Sequence, residues 1–351
     1  MRNAISVRIL LLTFLALNAL NLGCGGGGEA SSSVSEPPST SVSAGNQVQS
    51  PMLGFVYAAG GSEVRAINGV PGAATLSTPL PVPAGVTSLD FAPGQKYALV
   101  EQAEGASLGL IAFSGAEPGA LAPIPGGISK PDVISFSPKG GTAALYSASD
   151  GRLQVLGGLP DNPQLTREIA SGELPGAVRL LAIADDGATL LAGTANNTVY
   201  LLGGSAPQML ESVADLGGMV FTPKSNDVLI FDRGAGTLVL IEGVSGVRSK
   251  RVLAEGLTGL GGSIALNTNG RRAVLSTSTA NHLWEVDLQS LAVQEVQLPT
   301  TPAMLDPLRL SGQYLLAWQP GQRAWILNTN QEKGTVYFVP AATEAQAEVR
   351  R

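Results

Sequence analysis

One cysteine and one histidine are all that the 351 residues contain of either type. The lone Cys24 excludes an intramolecular disulfide. The lone His282 excludes a histidine-rich metal centre and leaves any Ser-His-Asp arrangement a single candidate base. Charged residues make up 14% and aromatic residues 5% of the chain, against about 25% charged in typical soluble domains. Lys and Arg nowhere cluster to neutralise phosphates, so no nucleic-acid partner is expected. Gly259-Leu260-Gly261-Gly262 leads into a strand pattern and not a helix, so it lacks the context of a phosphate-binding loop. No spaced Asp/Asn/Gly array matches a calcium loop. The sequence therefore predicts no cofactor and no metal site.

What is plentiful is turn material, with 44 Gly and 23 Pro. One phrase keeps returning among these turns. It reads Val86-Thr87-Ser88-Leu89-Asp90-Phe91-Ala92-Pro93-Gly94, then Val133-Ile134-Ser135-Phe136-Ser137-Pro138-Lys139-Gly140. It returns as Leu180-Leu181-Ala182-Ile183-Ala184-Asp185-Asp186-Gly187 and as Met219-Val220-Phe221-Thr222-Pro223-Lys224-Ser225-Asn226. Turn anchors at Gly54, Gly94, Gly140, Gly187, Asn226, Gly270 and Gly312 recur at intervals that mark a repeat architecture of roughly 40–50 residues per unit. Each anchor is followed by an apolar run, a polar loop and a second apolar run, as in Ala143–Tyr146 with Leu153–Leu156. Short apolar runs bounded by turn residues read as buried strands. Asp150-Gly151, Asp186-Gly187 and Asn269-Gly270 tolerate the positive φ that tight hairpins need. A more polar fourth strand closes units, for example Leu165–Ile169 and Val293–Leu298. These features predict an all-β, seven-bladed β-propeller over 51–340, with mostly four antiparallel strands per blade. The first unit shows no obvious innermost strand; either Gln47-Val48-Gln49 supplies it or the blade has three. A polar C-terminal tail, 341–351, follows.

The Phe136-Ser137-Pro138-Lys139-Gly140 turn, together with Ala195–Tyr200 and Leu283–Leu288, resembles the seven-bladed YVTN/lactonase-like propeller superfamily. That resemblance implies a propeller fold across about residues 52–340. It assigns no catalytic residue to a position here.

The N-terminus reads as an address. Met1–Arg8 carries two arginines, and Ile9–Leu22 is mostly apolar over 14 residues, short of the roughly 20 needed to span a bilayer but right for a secretory core. Residues 1–23 are thus expected to be a signal peptide, whose removal leaves a net charge of −8 in place of −6. Leu20-Asn21-Leu22-Gly23-Cys24 resembles a bacterial lipoprotein signal, with Asn21 where that family usually has Leu. The resemblance implies lipidation of Cys24. Gly25 follows in place of the Asp that retains enteric lipoproteins at the inner membrane, which implies the outer membrane. A lone thiol at this position in an exported chain is well explained by acylation, and two acyl chains anchor stably where one is marginal. The Gly/Ser/Pro-rich residues 24–50 have little to bury and read as a disordered tether.

In a propeller, loops entering innermost strands and loops joining second to third strands share one face around the axis, the default place for a ligand. The polar candidates there are Asp132, Arg179, Asn196, Asp232, Arg233, His282, Asp306 and Gln319, none with an individual role. His282 is placed in a second-to-third-strand loop. Trp284, Trp318 and Trp325 read as core filling ahead of a sugar platform. The reading that follows is a lipid-anchored envelope propeller acting as a binding scaffold for a protein or glycan partner. The alternative is a hydrolase or lactonase using the axial funnel, with or without a divalent metal. Mass spectrometry of the mature protein should find residue 24 at its N-terminus, carrying acyl chains; an unmodified Cys24 or cleavage elsewhere would refute the anchor.

Overall fold

Alternate residues of the second strands face opposite neighbours. Ala143 and Leu145 pack toward the preceding blade, whereas Ala144 and Tyr146 pack toward the following one. Both faces of each strand are therefore buried, which is why these strands read as unbroken apolar runs. The computed structural model describes residues 51–341 apart from 59–62, 104–106, 205, 224, 259–261, 268 and 277–279. The signal peptide, Cys24, the tether and Gln47–Gln49 lie outside the described residues, as does the tail beyond 341.

Seven antiparallel sheets follow one another along the chain. Blade 1 spans Met52–Leu76, blade 2 Val86–Pro123, blade 3 Val133–Ala170 and blade 4 Val178–Ser212. Blade 5 spans Leu216–Ala254, blade 6 Ile264–Gln297 and blade 7 Asp306–Val339. In blades 2 to 7 the strands run from inner to outer edge in chain order, four to a blade. The recurring phrase forms the innermost strand and the turn that leads to the second strand. Apolar clusters join each blade to the next, and one cluster, containing Leu53, Ile67, Leu315, Trp318 and Ile326, joins blade 7 back to blade 1. The ring is closed.

Blade 1 has three described strands, Met52–Tyr57, Val64–Val70 and Ala73–Leu76. Their burial marks the first as a second strand, since Leu53 to Val56 are all buried. Gly54, aligned by spacing with the turn glycines, lies inside this strand. A Cβ there would meet Gln95 Oε1 at 2.3 Å and the Arg309 amide nitrogen at 2.9 Å, so only glycine fits.

The inner edge of Met52–Tyr57 is not bare. The Phe55 N–H donates to Gln95 Oε1 (2.7 Å), and Gln95 Nε2 donates to the Phe55 carbonyl (3.2 Å). The Leu310 N–H donates to the Leu53 carbonyl (3.0 Å). The turn of blade 2 and the turn of blade 7 thus supply the hydrogen bonds that an innermost strand makes elsewhere. Gln95 is buried and held at φ +47°, an uncommon conformation for a residue with a Cβ. Arg309 completes the closure by reaching from blade 7 to the Gly115 carbonyl of blade 2, at 2.8 Å. Aromatic rings fill the adjoining interface: Phe55 stacks on Phe91 at 5.5 Å and contacts Phe113 at 4.6 Å. A buried polar group left without a partner costs about 1–3 kcal/mol. Gln95→Ala should lower the unfolding free energy by roughly that amount and speed hydrogen exchange at the Phe55 amide. Unchanged exchange at Phe55 would refute the capping role.

Candidate functional site

Strand pairing fixes one equivalent position in every described innermost strand, the residue before the aromatic or apolar residue that ends it. Asp90 faces Leu99, Ser135 faces Ala144, Ala182 faces Leu191, Val220 faces Leu229, Ala265 faces Val274 and Asp306 faces Leu315. These six residues form a tier around the axis. Four are small or apolar, and they line an axial cavity of about 240 Å³ together with Phe136 and Pro307. The other two are carboxylates, and they belong to blades 2 and 7, the neighbours of blade 1.

Tyr57, at the end of blade 1's first strand, stands beside this pair. Its ring lies 5.6 Å from that of Phe91, next in sequence to Asp90. Burial and the charges of Asp306 and Asp90 raise its pKa. Asp306 is half-buried, and burial pushes its pKa up to about 6. Asp90 is raised to about 6 by burial first, then by Glu101 and Asp306. Glu101 is also raised by burial, with Lys130 opposing and Asp132 adding to the shift. Among the described residues, neither the Asp90 nor the Asp306 carboxylate has a hydrogen bond or ion pair.

None of the other polar candidates lines this cavity. Asp232 is buried, which alone would raise its pKa. Four backbone N–H groups, from Ala214, Asp215, Gly234 and Ala235, outweigh that and hold the carboxyl below its usual value. Arg233 grips Asp215 with two bonds of 2.6 and 2.7 Å, the first cause of that carboxyl's lowered pKa. Arg179 donates to the Leu216 carbonyl of the next blade (2.8 Å), Asp132 accepts from the Ala148 N–H (2.6 Å), and Asn196 accepts from the Thr194 hydroxyl. Gln319 is exposed in a turn, where its carbonyl accepts from the Gln322 N–H.

His282 is displaced from the loop predicted for it. It begins the third strand of blade 6, its ring edge-on to Trp284 at 5.7 Å and its Nδ1 3.8 Å from Glu295 of the outer strand. Pairing with the outer strand holds it at the outer half of the blade. Of the tryptophans, Trp318 is buried in the seam between blades 7 and 1, while Trp284 and Trp325 are half-buried.

A larger cleft, about 500 Å³, opens between blades 6 and 7. There Arg272 donates to the carbonyls of Thr329, Gln331 and Glu332, and Glu285 accepts from the Gly334 N–H. These contacts stitch two blades together, and the second carboxylate oxygen of Glu285, Oε1, is buried there without a hydrogen-bond partner.

Only Asp306 of the expected residues belongs to the axial group; Tyr57, Asp90 and Glu101 were not anticipated. The signal lay in the recurring phrase, where Asp90 replaces the Ser135, Ala182 or Val220 of its echoes. The raised carboxyls also set a pH dependence. Between the unfolded value, near 3.8, and the folded value, near 6, the native state binds more protons. The pair's contribution to stability therefore declines as pH rises through that window. Asp306→Asn should accordingly stabilise the fold at pH 7.5 by on the order of 1–3 kcal/mol and change little at pH 4. Equal shifts in thermal melts at both pH values would refute this.

No protein-family model matches the chain, and no curated protein matches it. Solved structures do match in fold. The Pseudomonas aeruginosa periplasmic gluconolactonase is 17% identical with a TM-score of 0.55, covering 83% of this chain and 95% of its own. A putative 6-phosphogluconolactonase from Bacteroides uniformis is 14% identical at the same TM-score, covering 82% and 94%. A functionally unknown protein from Desulfotomaculum acetoxidans is 11% identical, again at 0.55, covering 83% and 100%. The chain is a seven-bladed β-propeller whose structural neighbours include gluconolactonase and 6-phosphogluconolactonase-like propellers.

Proposed function

We propose that this protein is a ligand-binding β-propeller of the bacterial envelope, held at the outer membrane by a lipid on Cys24, which takes its ligand into the axial channel. The observation that carries the reading is the pairing of an apolar axial cavity with two unpartnered carboxylates in the same tier. A concave apolar site with a few convergent polar groups is where ligands are usually taken. Carboxylates whose ionisation is penalised by burial cost stability, a cost that functional sites commonly carry.

A second reading, a lactone hydrolase, is favoured by one specific observation. Asp90 and Asp306 ionise near pH 6, in the range where a carboxyl serves as general base or acid near neutrality. The gluconolactonase names of the structural neighbours point the same way, although likeness at this identity extends to the fold alone.

Two experiments decide between them. Val220 lines the cavity and is half-buried, so Val220→Trp should fill the channel. A small-molecule panel should contain compounds that raise the melting temperature of the native protein and have no effect on this variant. If every stabilising compound acts equally on both, the channel is not the site. Glucono-δ-lactone hydrolysis at pH 6.5 tests the second reading: turnover lost in Asp90→Asn with the fold intact would replace the binding reading with the hydrolase.

A further inference from the structure

The third strands carry one exception to an apolar rule. Leu110, Val155, Leu201, Leu240 and Ile326 hold the same register in their blades, each facing the second-strand residue that pairs with the axial tier. Blade 6 has Glu285 there, facing Val274. Glu285 is 2% exposed, and it lines the cleft of about 500 Å³ between blades 6 and 7. We propose that this cleft is a second binding site, separate from the axial channel. It takes a small neutral saccharide whose hydroxyls bond Glu285 and the amides of Asn267 and Gln294.

The lining sets the ligand class. Among the described residues that form it, only Ala292 lacks a hydrogen-bonding side chain, so an apolar body would find little to pack against. The two arginines are already engaged. Arg271 pairs with Asp287 at 3.1 Å, and Arg272, besides its three carbonyl bonds, lies 3.9 Å from Glu285 Oε2. Other groups are uncommitted. Asn267 Oδ1 accepts the Arg271 and Arg272 backbone N–H groups, and its Nδ2 has no partner among the described residues. The half-buried Gln294 makes no side-chain hydrogen bond among the described residues. Glu285 takes the Gly334 N–H on Oε2 (2.9 Å), which leaves Oε1 buried without a partner. Donors and acceptors thus stand side by side, and a hydroxyl is both at once. A polyhydroxyl ring can answer all of them, where an ammonium supplies only donors and a carboxylate only acceptors.

A buried carboxylate with one oxygen unpartnered is costly. Burial raises the Glu285 pKa against the Gly334 N–H and the charges of Arg272 and Lys333. At the equivalent positions an aliphatic side chain fills the space without that cost, and costly residues concentrate where ligands bind. Access comes from the rim, where Asn269, Ser290 and Gln331 are exposed, while Asn267, Glu285 and Thr329 are buried at the floor. The terminal torsion of a glutamate is broad, so its carboxylate can turn toward a hydroxyl that enters from the rim. The cleft, about 500 Å³, lies within the roughly 300–1,000 Å³ usual for small-molecule sites.

The test is calorimetric titration of the whole mature protein with maltose, cellobiose and N,N′-diacetylchitobiose, with putrescine and gluconate as charged counterparts. The expected result is saturable binding of at least one disaccharide, about tenfold or more tighter than either charged compound. Glu285→Gln should weaken that disaccharide roughly tenfold, because a neutral acceptor replaces a charged one. Gln294→Ala should weaken it several-fold. Ala292→Trp, at the exposed rim, should abolish binding while the protein still melts cooperatively. Free sugars and the sugars of a glycan chain share this chemistry. Equal affinity for the methyl glycoside of the bound disaccharide would assign the site to a glycan chain, and loss of affinity would assign it to a free reducing sugar. Tighter binding of putrescine or gluconate would overturn the saccharide class. So would absence of disaccharide binding at millimolar concentration in a native, cooperatively melting protein. A disaccharide bound unchanged by Ala292→Trp and Glu285→Gln would overturn the cleft as its site, and loss of that binding in Val220→Trp would put the sugar in the axial channel. The channel reading is judged separately, by the thermal shifts of the small-molecule panel.

Discussion

Everything in this propeller depends on how the inner edge of blade 1 is satisfied. Among the described residues six blades present an innermost strand to the axis, and blade 1 presents the inner edge of what is elsewhere a second strand. Unpaired backbone groups there would be costly in a buried setting and would offer a template for foreign strands. One glutamine amide and one turn N–H remove that liability. Gln95 imitates a peptide group, donating and accepting at the same residue as a neighbouring strand would. Its uncommon backbone conformation and deep burial mark a position fixed by its surroundings.

The acidic pair follows from the same arrangement. In a symmetric ring each tier position is flanked by like positions, and small or apolar residues suit the crowding. Beside blade 1 the two adjacent positions hold carboxylates in place of Ser, Ala or Val. They remain enclosed enough for burial to oppose their ionisation. One departure from the repeat thus explains both the closure and the chemistry. The mouth loops differ, because Asp232, Arg233 and Arg179 are hydrogen-bonded to backbone amides, Asp215 and a backbone carbonyl.

Most of the architecture was legible because repetition amplifies weak signals. A single Phe-Ser-Pro-Lys-Gly turn says little, but its echoes set the blade count and the strand order. Gly54 shows where spacing misleads: it serves close packing against Gln95 and Arg309, a demand invisible in a count of intervals. His282 was placed in a loop because the third strand of blade 6 begins one residue before the apolar run that starts at Leu283, and such boundaries depend on cross-strand pairing. Asp306 was found by topology alone. Asp90 escaped because it sits inside the recurring phrase, where attention goes to what is shared. The informative residue was the one that broke the pattern. No reading of local sequence could find Gln95, since an amide in a turn is ordinary until its partner, 40 residues away, is known.

Seven apolar layers hold the ring, and six of them join blades that are consecutive in the chain. Such an array behaves as a row of nearest-neighbour couplings, in which structure can propagate from one unit to the next. The layer between blades 7 and 1 differs in kind, because it links the two ends of the row. The Arg309–Gly115 bond spans 194 residues of sequence across that seam, so it can form only when nearly the whole chain is in place. Long-range contacts of this sort bear their loop-closure entropy late. The seam is therefore a latch: the last join to be made and the natural first to part, with the axial carboxylates at its inner end.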